Sequence, residues 1–138
     1  MKLYDKQWVS ELARRAASDE VFQRKARGFD AIYQYVVKPP KESAGDKQPF
    51  VWWIKFPEAT VHGLGLHEKP TFTMTTSYEI FHDVLAGKTN AIVALTARRI
   101  FVAGDLLKLL RFTAAINRIV ELMQGIPAEA EGGLGPIA

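Results

Sequence analysis

Few side chains in this sequence have the chemistry of a ligand, base or nucleophile, and their spacings work against most reactions. His62 and His67 stand five residues apart, which on a strand sends them to opposite faces. No HExxH run or acidic cluster accompanies them, so no metal ligand set is expected. The chain has no cysteine, which excludes disulfides, thiolate metal sites and cysteine nucleophiles. Ser77 and His82 lack the glycines of a nucleophile elbow; Ser77 is placed to cap a helix, and Asp83 beside His82 reads as part of a polar helix face. The run VHGLGL contains a GxG, but no GxGxxG leads from it into a helix. Gly63 and Gly65 therefore read as a bulge or a close backbone contact rather than a phosphate loop. No catalytic residue, metal or cofactor is expected.

Basic residues gather at Arg14-Arg15, at Arg24, Lys25 and Arg27, and at Arg98-Arg99, with acids interspersed. The 18 basic and 15 acidic residues leave a net charge of only +3, too small a field to nominate nucleic acid as a partner. A solvated charged face is the expectation, with Arg98-Arg99 a weaker candidate for contact with lipid headgroups. Charges at Lys2, Asp5, Lys6 and Glu11 interrupt the N-terminal segment, and no 18-residue apolar run occurs, so a cytoplasmic protein without a leader or membrane span is expected.

These residues are positioned by elements legible from their periods. At 138 residues and 48% hydrophobic content the chain has the size and composition of one folded domain. Trp8, Val9, Leu12, Ala13 and Ala16 recur at helical spacing, and Ser18 or Asp19 caps a second short helix that stops near Gly28. From Phe29 the period becomes two, placing Ala31, Tyr33, Tyr35 and Val37 on one face of a strand ended by Pro39-Pro40. The breaker-rich PPKESAGDKQP reads as a long hairpin loop before FVWWIKFP, where Phe50, Trp52, Ile54 and Phe56 share a face. TVHGLGL and TFTMTT supply two further strands, the second turning Phe72 and Met74 inward. A helix follows Ser77 and stops at Gly87; Asn90 caps a short helix; RRIFVAG is a fifth strand. Asp105 caps a last long helix running to Gly125. The reading is one domain over residues 1–126 and a mobile tail over residues 127–138.

That last helix carries more apolar surface than one sheet contact requires. Leu109, Phe112, Ile116, Ile119, Val120 and Met123 fall on one arc, while Leu107 and Leu122 fall outside it. The extra leucines either fill the core or need a second partner: a subunit, a neighbouring helix, a membrane surface or an apolar ligand.

The ordered run PTFTMTTSYEIFHDVLAGKTNAIVALTARRIFVAGDLLKLLRFTAAI is more specific than its periods. It resembles the sterol carrier protein 2-like lipid-binding family: a threonine-alternating strand at Phe72 to Thr76, and a helix from Tyr78 closing at Gly87. A short helix from Asn90 to Ala97, a strand from Ile100 into Gly104-Asp105, and a leucine-rich helix from Leu106 complete it. The two opening helices and the FDAIYQYVV and FVWWIKFP strands fit the same order, so the resemblance extends to about Gly125. It implies an α+β fold in which a five-stranded, mostly antiparallel sheet carries helices on one face and encloses an apolar tunnel for sterols, fatty acyl chains or other lipids. It implies no catalytic machinery. By position it gives lining roles to Phe72, Met74, Phe81, Leu85, Ile92, Leu95, Val102, Leu106, Leu109, Leu110 and Phe112, with Trp52 and Ile54 opposite. Some relatives end in a peroxisomal Ser-Lys-Leu-like signal, whereas this chain ends Gly-Pro-Ile-Ala.

The expected partner is therefore a lipid or other apolar small molecule, with transient membrane contact and a possible homodimer. Two alternatives stay open. One is a cone-shaped α+β enzyme of the ketosteroid isomerase type, for which Tyr33, Tyr35 and Asp30 are the candidate polar groups. The other is an interaction module with a filled core.

Overall fold

The structure is a computed structural model and describes residues 1–42 and 47–138. Part of the expected hairpin loop, residues 43–46, lies outside the described residues. Two helices open the chain, α1 (Lys6–Ser18) and α2 (Glu20–Lys25). Four strands follow: β1 (Ala31–Lys38), β2 (Phe50–Phe56), β3 (His62–Leu64) and β4 (Phe72–Ser77). Next come α3 (Tyr78–Leu85), α4 (Ala91–Thr96), β5 (Phe101–Ala103), α5 (Leu106–Arg111) and α6 (Thr113–Gln124).

Helix starts are set by side-chain oxygens that accept the free amides of the first turn. Asp19 accepts from Phe22 N at 2.7 Å, Ser77 from Ile80 N at 3.1 Å and Asn90 from Ile92 N at 2.8 Å. Asp105 accepts from Lys108 N at 3.2 Å. The last helix is not continuous as its sequence suggests. Phe112 departs from helical geometry (φ −105°, ψ 27°) and separates α5 from α6. The physical reason is tertiary: the Phe112 ring lies 4.7 Å from that of Phe29, so the chain turns there to reach the core.

The strands form a five-stranded mixed sheet in the order β3-β2-β1-β4-β5. β1 pairs with β2 antiparallel, as do β2 with β3 and β4 with β5, while β1 and β4 run parallel. The parallel pair arises because the chain leaves the β3 edge and crosses to the far side of β1. The crossing segment is pinned on the sheet's outer face, where Gln34 accepts from His67 N at 2.7 Å and donates to Thr73 Oγ1 at 3.1 Å. Gly63 faces Trp53 across the β2–β3 pair, and a Cβ there would stand 2.9 Å from the indole. The close contact anticipated for that glycine is thus a packed tryptophan.

The inner face carries the alternation expected of it, and helices cover it. Tyr33, Tyr35, Trp52, Ile54, Phe72 and Met74 are all buried. α6 is fastened to the N-terminal helices by Arg118, which donates from Nε and Nη2 to both oxygens of Asp19 at 2.9 and 2.8 Å. The segment 127–138, read from sequence as a mobile tail outside the domain, packs back on it, directly after the buried Ile126. Ile126 and Ile137 are buried, Leu3 N donates to Glu129 O at 2.9 Å, and Ala128 and Ile137 exchange backbone hydrogen bonds. A segment without a period can still supply isolated apolar anchors, and periodicity does not register these.

Candidate functional site

Between the sheet and the later helices lies an apolar cavity of about 40 Å³. Tyr33, Tyr35, Phe56 and Met74 form its sheet wall, because alternation places them on the inner face of β1, β2 and β4. α6 supplies Ile116, Ile119, Val120 and Met123, the i, i+3, i+4, i+7 set of a helix face. Ile92 and Leu95 of α4, Val102 of β5 and Leu109 of α5 enclose it further, together with Phe22, Phe29 and Phe81.

The resemblance implies a tunnel at this place, and the space is far smaller than the roughly 300–1,000 Å³ of pockets that hold ligands. Aromatic packing accounts for the difference. Phe29 lies within 6.1 Å of Phe56, 6.0 Å of Phe72 and 4.7 Å of Phe112 by ring centroid. A void of about 300 Å³ among such side chains would cost about 7 kcal/mol, at about 24 cal/mol per Å³, as much as the whole stability of many domains. Collapse to a small residual space is the low-energy arrangement of the chain by itself.

Among the described residues no Asp, Glu, His, Lys or Arg lines the cavity. Among the described residues, Tyr33 and Tyr35 are the only lining residues that carry a side-chain oxygen or nitrogen, and neither hydroxyl has a hydrogen-bond partner there. Their rings lie 4.7 Å apart, and burial pushes both phenols well above their ordinary range, so they stay neutral. Asp30, the acid weighed with them for an enzymatic alternative, is exposed and does not line the cavity.

The residues nominated from sequence divide between the cavity and its surroundings. Met74, Phe81, Ile92, Leu95, Val102 and Leu109 line it. Trp52 is buried but does not: it stacks between Tyr35 at 4.8 Å and Tyr4 at 5.3 Å, with Trp8 edge-on. Ile54, Phe72 and Leu85 are likewise buried off the lining, Phe72 being occupied by contacts to Phe29 and Tyr33. Leu110 and Phe112 are half-buried, and Leu106 is exposed. The sequence gives Tyr33 and Tyr35 no place among the lipid-lining residues and names them, with Asp30, only as polar groups of the enzymatic alternative, although their place on the inner face of β1 was legible. Position on a face does not reveal which side chains meet a neighbour and which meet a void.

The other groups singled out for chemistry are employed structurally. His82 is buried and its Nε2 donates to Gly135 O at 2.6 Å, holding the C-terminal segment, while Ser77 caps α3. His67 Nδ1 accepts from Lys69 N, and its ring meets Trp53 edge-on at 4.7 Å. Glu11 pairs with Arg14 and Arg15, whose hydrogen bonds hold its carboxyl down at about 2.

The elements that wall the cavity also expose apolar side chains: Val93 of α4, Phe101 of β5, and Leu106 and Leu107 of α5, Leu107 by 74%. Over residues 91–111 they are accompanied by Arg98, Arg99, Lys108 and Arg111 and by a single acid, Asp105, which is used as a cap. Among the described residues no helix is long and apolar enough to cross a membrane.

Comparisons with known proteins bear on this arrangement. A family model described as the SCP-2 sterol transfer family matches residues 9–117. Among solved structures, a crystal structure of sterol carrier protein 2 superposes with a TM-score of 0.81 at 15% identity, covering 91% of this chain and 99% of the other. A conserved hypothetical protein from Thermus thermophilus gives 0.79 at 16% identity, covering 97% and 94%. Sterol carrier protein 2 from Aedes aegypti, in complex with the fatty acid palmitate, gives 0.52 at 18% identity, covering 83% and 98%. At such identities the likeness is one of fold. Among curated protein sequences nothing matches.

Proposed function

The chain belongs to the SCP-2 sterol transfer family, and on that premise we propose that it is a non-enzymatic lipid carrier of the cytoplasm. In this reading the hydrocarbon part of a lipid occupies the cavity between the sheet and α4–α6. The observation that carries it is the lining itself: uncharged and apolar except for two hydroxyls, set under short wall elements. The bound palmitate of the Aedes relative supports the same reading.

The energetics suit a carrier. Burying a methylene is worth about 0.8 kcal/mol, so a sixteen-carbon chain gains on the order of 12 kcal/mol on leaving water. A bilayer offers the same gain, so exchange needs only rough parity between protein and membrane. Opening the cavity to lipid size is a cost set against that gain. The wall that must move comprises α4, β5 and α5, of six, three and six residues.

The exposed Val93, Phe101, Leu106 and Leu107 with their basic neighbours make an anionic bilayer the partner of this wall. Each basic residue near such a surface contributes about 1 kcal/mol, and the apolar side chains insert at the interface. Contact at the wall that opens would deliver the lipid without passage through water.

The test is transfer of a fluorescent sterol and a fluorescent fatty acid between donor and acceptor vesicles, with organic extraction and mass spectrometry of the purified protein alongside. Accelerated transfer, increased by anionic lipid and reduced by Leu107→Asp, is the expected result. No acceleration with either cargo, and no co-purifying lipid, would overturn the carrier reading and favour an interaction module.

A further inference from the structure

We propose that Tyr33 and Tyr35 form a hydrogen-bonding pole on the sheet wall that receives the neutral hydroxyl of a lipid, a sterol or long-chain alcohol, held head-inward. This rests on the carrier reading and specifies its cargo. Both side chains are more than nine-tenths buried, at 6% and 3% exposure, and both line the cavity. Neither hydroxyl makes a hydrogen bond among the described residues, so each phenol on the lining keeps its capacity to donate and to accept one. The two residues alternate on β1, the strand held between β2 and β4, so their backbone is fixed from both sides. Tyr35 is further held by its stack on Trp52 at 4.8 Å.

A phenol is both donor and acceptor, and so is an alcohol. Two neighbouring phenols and one ligand hydroxyl therefore complete a chain in which each oxygen can donate and accept. A carboxylate fits this pole poorly. It brings a charge into a lining without Lys, Arg or His, where nothing offsets the loss of water. Because the phenols remain neutral, they supply dipoles but no countercharge.

The experiment measures binding of oleyl alcohol, oleate and (Z)-9-octadecene, which share a chain and differ at the head, to the full chain and to Tyr33→Phe, Tyr35→Phe and the double variant. Tyr→Phe keeps ring packing, and circular dichroism with a melting curve confirms the fold; the single variants keep the test alive should the double one fail to fold. The expected result is a loss of about tenfold or more in affinity for oleyl alcohol in the double variant, with octadecene changed less than twofold. Oleate binds the unaltered protein at least tenfold more weakly than the alcohol at neutral pH and gains as acid protonates it. Equal losses for alcohol and hydrocarbon, no loss for the alcohol, or oleate binding as tightly as the alcohol would each overturn the head-inward pole while leaving the carrier reading intact. Absence of binding by all three ligands would overturn both.

Discussion

Met123 is fully buried and lines the cavity from α6, whereas Leu12 of α1 is equally buried and does not line it. The pair separates packing from ligand space. Truncating either to alanine removes two to three methylene equivalents, about 2 kcal/mol of transfer free energy. If about 60 Å³ stays open, the void adds about 1.5 kcal/mol, for a total near 3.5 kcal/mol and a fall in Tm of roughly 10–15 °C. The two variants part company once a lipid is added. In Met123→Ala the opened volume joins the existing cavity, and a hydrocarbon chain that fills it recovers the void term. Oleyl alcohol should then bind about tenfold more tightly than to the unaltered protein, which must open the same space itself. In Leu12→Ala the void is remote, and affinity stays within about twofold of the original. Affinity follows from displacement of a fluorescent sterol, and stability from urea unfolding with and without ligand. Equal or weaker binding by Met123→Ala, with Leu12→Ala unchanged, would refute the placement of the ligand beside α6.

The remaining tests address the supports of the site. Met74→Trp overfills the cavity and should abolish uptake of a fluorescent lipid with the fold retained, while Leu85→Trp, off the lining, should keep uptake in any folded product. Asp19→Asn keeps a capping side chain but loses the ionic pairing to Arg118. The carboxyl is held below its ordinary value chiefly by that hydrogen bond, so its stabilisation is full above the unfolded pKa and is lost as pH falls through the folded one. The gap in urea midpoint between the original protein and the variant should therefore be widest at neutral pH and shrink on acidification; a gap constant down to about pH 2 would contradict the assignment. Gly104→Ala should destabilise by about 2 kcal/mol or more, since φ is +128° and a Cβ would lie 2.7 Å from both Phe72 Cδ1 and Thr71 O. Gly87→Ala, at φ +78° in open space, should cost about 1 kcal/mol, and comparable melting losses for the two would refute the steric account.

Much of the fold was legible because it depends on local rules. Ser77 and Asn90 cap the helices they were read to cap, and Asp105 caps the first part, α5, of the helix read from it, because a short polar side chain beside a free amide acts within one turn. The inner faces of β1, β2 and β4 follow from a period of two, and the family resemblance read from the ordered run beginning at Phe72 is matched by a family model over residues 9–117. Other features depend on residues distant in sequence. The parallel β1–β4 pair, the break at Phe112 and the return of Ile126 and Ile137 to the core answer to contacts no local pattern encodes.

The site divides along the same line. The sequence by itself determined that an apolar inner face and a leucine-rich final segment would coexist in a chain of this family. Only the tertiary structure decided which apolar side chains meet one another and which meet the cavity. Trp52 is withdrawn between Tyr4 and Tyr35, and Tyr4 arrives from the N-terminus with φ at +67°, a conformation unforeseeable from its type. Tyr33 and Tyr35 remain on the lining, their hydroxyls unpaired among the described residues. Periodicity assigns a side chain to a face at a single strand or helix; a cavity is a property of all the faces that close around it, and its volume is what their packing leaves unfilled.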